Sequence, residues 1–257
     1  MAEKKSKRVV LTRENNDAVA DILKAQGVDV LELPMIKIEF SSDASDVSEV
    51  FAELGRYDWL TFSSVNGVRG FFNEFFKNFD DIRCLGIARI ACVGEATARE
   101  LKKYFLHADV LPKISTGAEM AKAMVEYESL ENLRVLCVIG NLAGKEMFEI
   151  LEEKGKAIVD EFQVYKTVVA EIEEGESASD FREFGADAIV FSSPSAVEGF
   201  AKNAKKLLTK DSAARPKIAA IGSVTAEAVK KYGMKVSAVA ADPLPESVAA
   251  AVMSLLK

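Results

Sequence analysis

Short apolar runs alternate along the chain with segments whose apolar residues recur every three or four positions. Val9–Thr12, Val28–Leu33, Trp59–Phe62, Ile90–Val93, Val135–Ile139, Ile158–Phe162, Ala188–Phe191, Ile218–Ile221 and Val236–Val239 read as strands. Asn16–Gln26, Val68–Phe76, Ala96–Tyr104, Ala118–Glu126, Lys145–Lys154, Val197–Leu208 and Thr225–Lys231 read as helices. Gly27 and Gly155 supply stop signals after two of these helices. Short, fully apolar strands that alternate with helices predict parallel sheets covered on both faces, an α/β fold. Glu171–Asp180 is polar and reads as a loop.

The pattern is written twice. Tyr57–Phe72, which contains Trp-Leu-Thr-Phe-Ser-Ser-Val-Asn-Gly-Val, returns as Ala186–Ala201, which contains Ala-Ile-Val-Phe-Ser-Ser-Pro-Ser-Ala-Val. Arg89–Tyr104 returns as Lys217–Tyr232, and Val9–Arg13 has a weaker echo at Cys137–Asn141. The offset is about 128 residues, which means duplicated domains rather than a solenoid. Val28–Phe40 and Ala157–Glu171 stay extended beyond ordinary strand length, as a two-stranded connection between lobes would. Two contiguous halves and a crossed arrangement both fit this pattern.

Composition narrows the chemistry. With 257 residues, 49% hydrophobic and 28% charged, the chain is an ordinary globular sequence. It has no apolar run near the roughly 20 residues that span a bilayer, and Val9–Leu11 is too short for the core of a signal peptide. A cytoplasmic protein is expected. The net charge of −7 disfavours nucleic-acid binding but not a small anion, which backbone amides can hold. Cys84, Cys92 and Cys137 lack metal-ligand spacing, and His107 is the sole histidine, so neither a metal site nor a Ser-His-Asp triad is expected.

Ligands of open parallel sheets bind beyond the carboxyl ends of the strands. That rule selects Thr12 and Arg13, Ser63 to Asn66, Gly94 to Thr97, Gly140 and Asn141, Ser192 to Ser195, and Gly222 to Thr225. Ser, Thr and Asn at such places commonly only cap helices. The same polar termini in both copies favour one ligand gripped from two lobes. No GxGxxG or Walker pattern is present, which removes support for a nucleotide-dependent transferase. Tyr165, in the second long extended segment, is a phenol able to donate a proton to a leaving group.

Taken in order, Leu11-Thr-Arg13, Leu33-Pro34, Phe62–Val68, Val93–Thr97, Gly140-Asn141, Val164–Thr167, Phe191–Val197 and Ala220–Ala226 resemble the uroporphyrinogen-III synthase family across nearly the whole chain. The resemblance implies two flavodoxin-like lobes joined by a two-stranded β-ladder, with residues 1–36 and 168–257 in one and residues 37–167 in the other. It also implies a monomeric, cofactor-free lyase of tetrapyrrole biosynthesis, which receives hydroxymethylbilane from its synthase. The linear tetrapyrrole loses the ring A hydroxyl, and ring D inverts through a spiro intermediate before closure to uroporphyrinogen III.

The resemblance gives Tyr165 the task of helping the hydroxyl leave. Thr12, Arg13, Ser63, Ser64, Asn66, Thr97, Gly140, Asn141, Lys145, Ser193, Ser195, Ala196 and Thr225 become candidates for binding the substrate. Two departures stand out. Ile139-Gly140 replaces a frequent Arg-Gly pair, and Lys145 replaces another Arg, losing bidentate carboxylate partners. Ser223 stands where the family usually has Pro. A non-catalytic two-lobed binding protein for a small polyanion is the alternative from another functional class.

Overall fold

A computed structural model describes residues 6–13, 17–172 and 175–257. Its ten strands are β1 (Arg8–Leu11), β2 (Asp29–Glu32), β3 (Ile36–Phe40), β4 (Trp59–Phe62), β5 (Arg89–Cys92), β6 (Arg134–Gly140), β7 (Ile158–Val169), β8 (Ala188–Phe191), β9 (Lys217–Ala220) and β10 (Val236–Val239). They form two five-stranded sheets, ordered β2-β1-β8-β9-β10 and β5-β4-β6-β7-β3. Every neighbouring pair in the first sheet is parallel. So are the first four strands of the second.

The chain divides into two compact units, one built from residues up to Lys37 together with Val168–Lys257, the other from Ile38–Thr167. It passes from the first unit to the second within β3 and returns within β7. Ser41 donates its N–H to Val164 and Ala170 donates to Met35, so β3 and β7 run antiparallel. Val28–Phe40, read as one extended segment, is broken at Leu33–Met35. Its first part belongs to one sheet and its second part edges the other.

Alternation within each strand sorts side chains onto two faces. In the second unit, Leu60, Phe62, Leu136, Val138 and Phe162 face α2 (Ala44–Ala52), α3 (Val65–Asn78) and α4 (Glu95–Lys102). Trp59, Val135, Cys137 and Ile139 face α5 (Gly117–Tyr127) and α6 (Glu146–Glu149), which runs on as a π-helical turn over Ile150–Lys154. The first face is aromatic, with Phe71 within ring contact of Phe51, Phe62, Phe72, Phe75 and Phe162.

The first unit is layered in the same way. α1 (Asp17–Ala25) and α10 (Pro245–Leu255) cover one face. α7 (Glu176–Phe184), α8 (Pro194–Lys202) and α9 (Ser223–Lys231) cover the other. The helix α7 corrects the loop expected over Glu171–Asp180. Ala178 and Phe181 are buried, an apolar i, i+3 pair hidden among polar neighbours. Asn16, the expected start of the first helix, lies outside the described residues. Helices α2 and α10 were not among those read from the sequence.

The duplication is visible in the backbone. Ser64 before α3 and Ser193 before α8 have φ, ψ of −165°, 161° and −167°, 160°. Both units also use a helical glycine to admit a neighbouring segment. A Cβ on Gly70 of α3 would lie 2.7 Å from a Val164 methyl, and one on Gly199 of α8 would lie 2.2 Å from the Met35 carbonyl oxygen. No described helix is long and apolar enough to cross a membrane.

Candidate active site

In the second unit the neighbouring strands β4 and β6 lead to helices on opposite faces of the sheet, the switch point where such folds open a crevice. Just past β4, Ser64 caps α3, and its Oγ accepts the Gly67 N–H at 2.9 Å. The same hydroxyl donates to Tyr165 Oη at 3.0 Å. The phenolic oxygen therefore receives one hydrogen bond and keeps its own proton for another acceptor.

A bulge aims Tyr165 there. Along β6 and β7 the pairing runs regularly to Ile139 with Gln163, then skips Val164 and pairs Gly140 with Tyr165. Strict alternation would send Tyr165 to the face opposite Val164. With the extra residue, both side chains pack on the α3 side. Gly140 makes room for the ring, because a Cβ there would lie 2.3 Å from Tyr165 Cζ.

Ser63, Thr116, Gly117, Gly140, Leu142 and Tyr165 help line a cleft of about 380 Å³. Helix α5 begins at this cleft. Thr116 Oγ1 accepts the Glu119 N–H at 3.2 Å. Other N–H groups of a helix's first turn have no partner within the helix, so this wall offers donors to an anion. Thr116 and Gly117 were missed from sequence, although Thr116-Gly-Ala-Glu119 has the form of a capping box.

Other expected residues fall in different surroundings. Asn66 is half-buried in the first turn of α3. The Asn141 side chain is engaged with the backbone of Thr167, accepting its N–H at 2.8 Å and donating to its carbonyl at 3.2 Å. Lys145 lies outside the Tyr165 cleft and lines an adjoining groove with Glu149, Glu152 and Glu161. That acidic setting opposes carboxylate binding there.

In the first unit, Thr12 is buried, and its hydroxyl donates to the Val190 carbonyl at 2.6 Å, tying β1 to β8 at their ends. Exposed Arg13 and the neighbouring Ser192 help line a mainly apolar pocket of about 130 Å³. Ser193 accepts the Ala196 N–H at 3.1 Å and is bonded to Ser195 Oγ at 2.9 Å. The Ala196 amide is thus committed to the cap, and its side chain is buried.

The next helices in each unit start differently. Gly94 before α4 and Gly222 before α9 provide no side-chain cap, which leaves first-turn N–H groups open. Thr97 and Thr225 are buried within those turns. Burial pushes the Cys92 and Cys137 thiols up to about 12, consistent with space-filling roles. His107 is exposed beyond α4.

Comparison with known proteins joins these features to a family. Residues 17–250 match the family model described as uroporphyrinogen-III synthase HemD. The chain is 27% identical over 244 residues to the uroporphyrinogen-III synthase of Chlorobaculum parvum, covering 93% of each. It is 26% identical over 230 residues to the porphyrin biosynthesis protein HemD of Ruminiclostridium josui, covering 89% of this chain and 44% of that protein. The chain thus spans less than half the length of that relative. A crystal structure of a mutant uroporphyrinogen III synthase from Thermus thermophilus matches with a TM-score of 0.65 at 18% identity, covering 98% and 99% of the two chains. This last likeness bears on the fold alone. The family model extends over most of the sequence and includes the strand ends that build the Tyr165 cleft, and the chain belongs to the uroporphyrinogen-III synthase HemD family.

Proposed function

We propose that the chain converts hydroxymethylbilane into uroporphyrinogen III as a cyclising hydro-lyase of tetrapyrrole biosynthesis. The observation that carries this reading is Tyr165, which faces a cleft with its phenolic oxygen hydrogen-bonded by Ser64. In the proposed reaction the pyrrole nitrogen lone pair of ring A expels the hydroxyl, and the phenolic proton of Tyr165 goes with it to make water. The resulting phenolate faces the Ser64 hydroxyl, which already donates to that oxygen. Ring D then attacks through its substituted carbon to give the spiro intermediate. The bond from that carbon to the methylene shared with ring C then breaks, and the freed methylene bonds to the other α-carbon of ring D. The proton lost from this second carbon balances the one given up by the phenol, leaving ring D inverted in the product.

The substrate carries eight carboxylates. Open first-turn amides of α4, α5 and α9 and the polar starts of α3 and α8 are the proposed partners for these groups. The candidates remain Arg13, Ser63, Asn66, Thr97, Ser195 and Thr225, with Ser64, Gly140 and Ser193 shaping the backbone around them. Thr12, Lys145 and Ala196 have less support, because their polar groups or settings are committed elsewhere. The contribution of such contacts is to hold a flexible bilane in the cyclising geometry. The reading has the protein act as a cytoplasmic monomer without a cofactor, supplied by hydroxymethylbilane synthase. Incubation of the purified protein with freshly prepared hydroxymethylbilane tests it. The type III isomer is expected, and the spontaneous type I isomer alone would refute the assignment.

A further inference from the structure

We infer that Asn141 is a positioning residue for Tyr165 rather than a substrate contact, an inference that rests on the proton-donor reading of Tyr165. Three hydrogen bonds join Asn141 to the segment that carries the phenol. Its backbone N–H donates to the Tyr165 carbonyl at 3.3 Å. Its side-chain oxygen accepts from Thr167 N at 2.8 Å, and its side-chain nitrogen donates to Thr167 O at 3.2 Å. The amide orientation is fixed by its partners, since a backbone N–H only donates and a carbonyl only accepts. The side chain thus acts as one more residue of the ladder just beyond the end of β6.

The place of this clamp gives it meaning. It lies immediately after the bulge at which Gly140 pairs with Tyr165 instead of Val164. A one-residue slip of pairing moves a strand's side chains to the opposite face. In β7 such a slip would carry Tyr165 away from Ser64 and out of the cleft. Gly140 pairs with Tyr165 through its backbone and leaves space for the ring, but it has no side chain to hold the segment beyond. The bonds from Asn141 to residues 165 and 167 hold the strand on the far side of the bulge.

A double-mutant cycle tests this role. Asn141→Ala is expected to lower kcat about tenfold or more, with KM within about twofold of the parent, because a small displacement of a reacting group is costly. In a Tyr165→Phe background the same substitution should produce no further fall. Asn141→Asp keeps the acceptor for Thr167 N but loses the donor, so an intermediate fall is expected, and this variant serves if the alanine variant folds poorly. An unchanged kcat, a rise in KM alone, or an equal loss in both backgrounds would overturn the inference. The second arm needs no turnover. In protein labelled with [ζ-13C]tyrosine, the Tyr165 resonance, identified by its absence in Tyr165→Phe, should shift in both Asn141 variants. An unmoved resonance overturns the clamp. A parent protein that makes no type III isomer would overturn the proposed function instead, and the resonance would still decide the clamp.

Discussion

Ser64 donates its hydroxyl proton to Tyr165 Oη at 3.0 Å while accepting the Gly67 N–H at 2.9 Å. One side chain thereby starts α3 and orients the phenol. Its counterpart Ser193 caps α8 with nearly the same backbone angles, but its bonded neighbour is Ser195 rather than a tyrosine. The two units share a capping device, and in the second the cap is also bonded to the phenol proposed as the proton donor.

This difference separates two substitutions of equal chemistry. Ser64→Ala and Ser193→Ala should each cost about 1 kcal/mol of stability through the lost cap. Only Ser64→Ala should also lower kcat, by about tenfold, because only there does the phenolate lose a hydrogen-bond donor. Chemical denaturation and steady-state kinetics on both variants check the contrast. Equal kcat values in the two variants would separate the cap from the chemistry.

Gly140→Ala places a methyl where the Tyr165 ring now lies, 2.3 Å from its Cζ. The ring is the mobile end of a side chain, so it can swing aside at small cost to folding. A melting temperature within a few degrees of the parent is expected, with turnover reduced about a hundredfold by loss of alignment. A fully active alanine variant would show that the ring need not lie over Gly140.

The cysteines offer a check on burial. Cys92 and Cys137 are fully buried, and their thiols are pushed up to about 12, so neither forms much thiolate at pH 8. Cys84 is exposed. Native protein treated with iodoacetamide at pH 8 should take up label at Cys84 alone, read by peptide mass spectrometry. Rapid labelling of Cys137 would contradict the packing of β6 against its neighbours.

Glu100 bridges α4 to α3 by accepting from Arg69 at 2.8 and 3.2 Å, and it also accepts from Lys103. The Arg69 hydrogen bonds hold its carboxyl below the usual carboxylate range. A depressed folded-state pKa contributes stability above the unfolded value of about 4.3, and that stability is lost as pH falls through the folded value. Glu100→Gln should therefore cost about 1 kcal/mol at pH 7, a figure reduced for the partial exposure of Arg69. The gap should narrow below about pH 4. Urea unfolding at pH 7 and pH 3 measures both.

Much of the fold could be read along the chain because its signals are local. Apolar runs such as Trp59–Phe62 and Ala188–Phe191 are buried throughout, as parallel strands flanked by helices require. Ser64 and Ser193 stand out as candidate caps by residue type and position, although α3 and α8 begin three residues before the Val68 and Val197 read from the apolar pattern. Tyr165 was singled out through its extended segment and the family resemblance. Its direction was not legible, because the bulge at Val164 depends on pairing with Gly140, a contact far away in sequence. The roles of Asn141 and Thr12 were hidden for the same reason. A polar residue at a strand end looks available until the partner that consumes its hydrogen bonds is known. Helix α7 escaped because its apolar face is only a few residues wide.

The most direct test of the account removes one oxygen. Tyr165→Phe keeps the ring over Gly140 and deletes only the phenolic hydroxyl, the proposed proton donor, with its bond from Ser64. With freshly prepared hydroxymethylbilane and the spontaneous reaction subtracted, its single-turnover rate should fall by about a hundredfold, the lower end of what a positioned general acid contributes. The residual enzymatic product should still be the type III isomer. A rate within about twofold of the parent would contradict the assignment of Tyr165 as the proton donor.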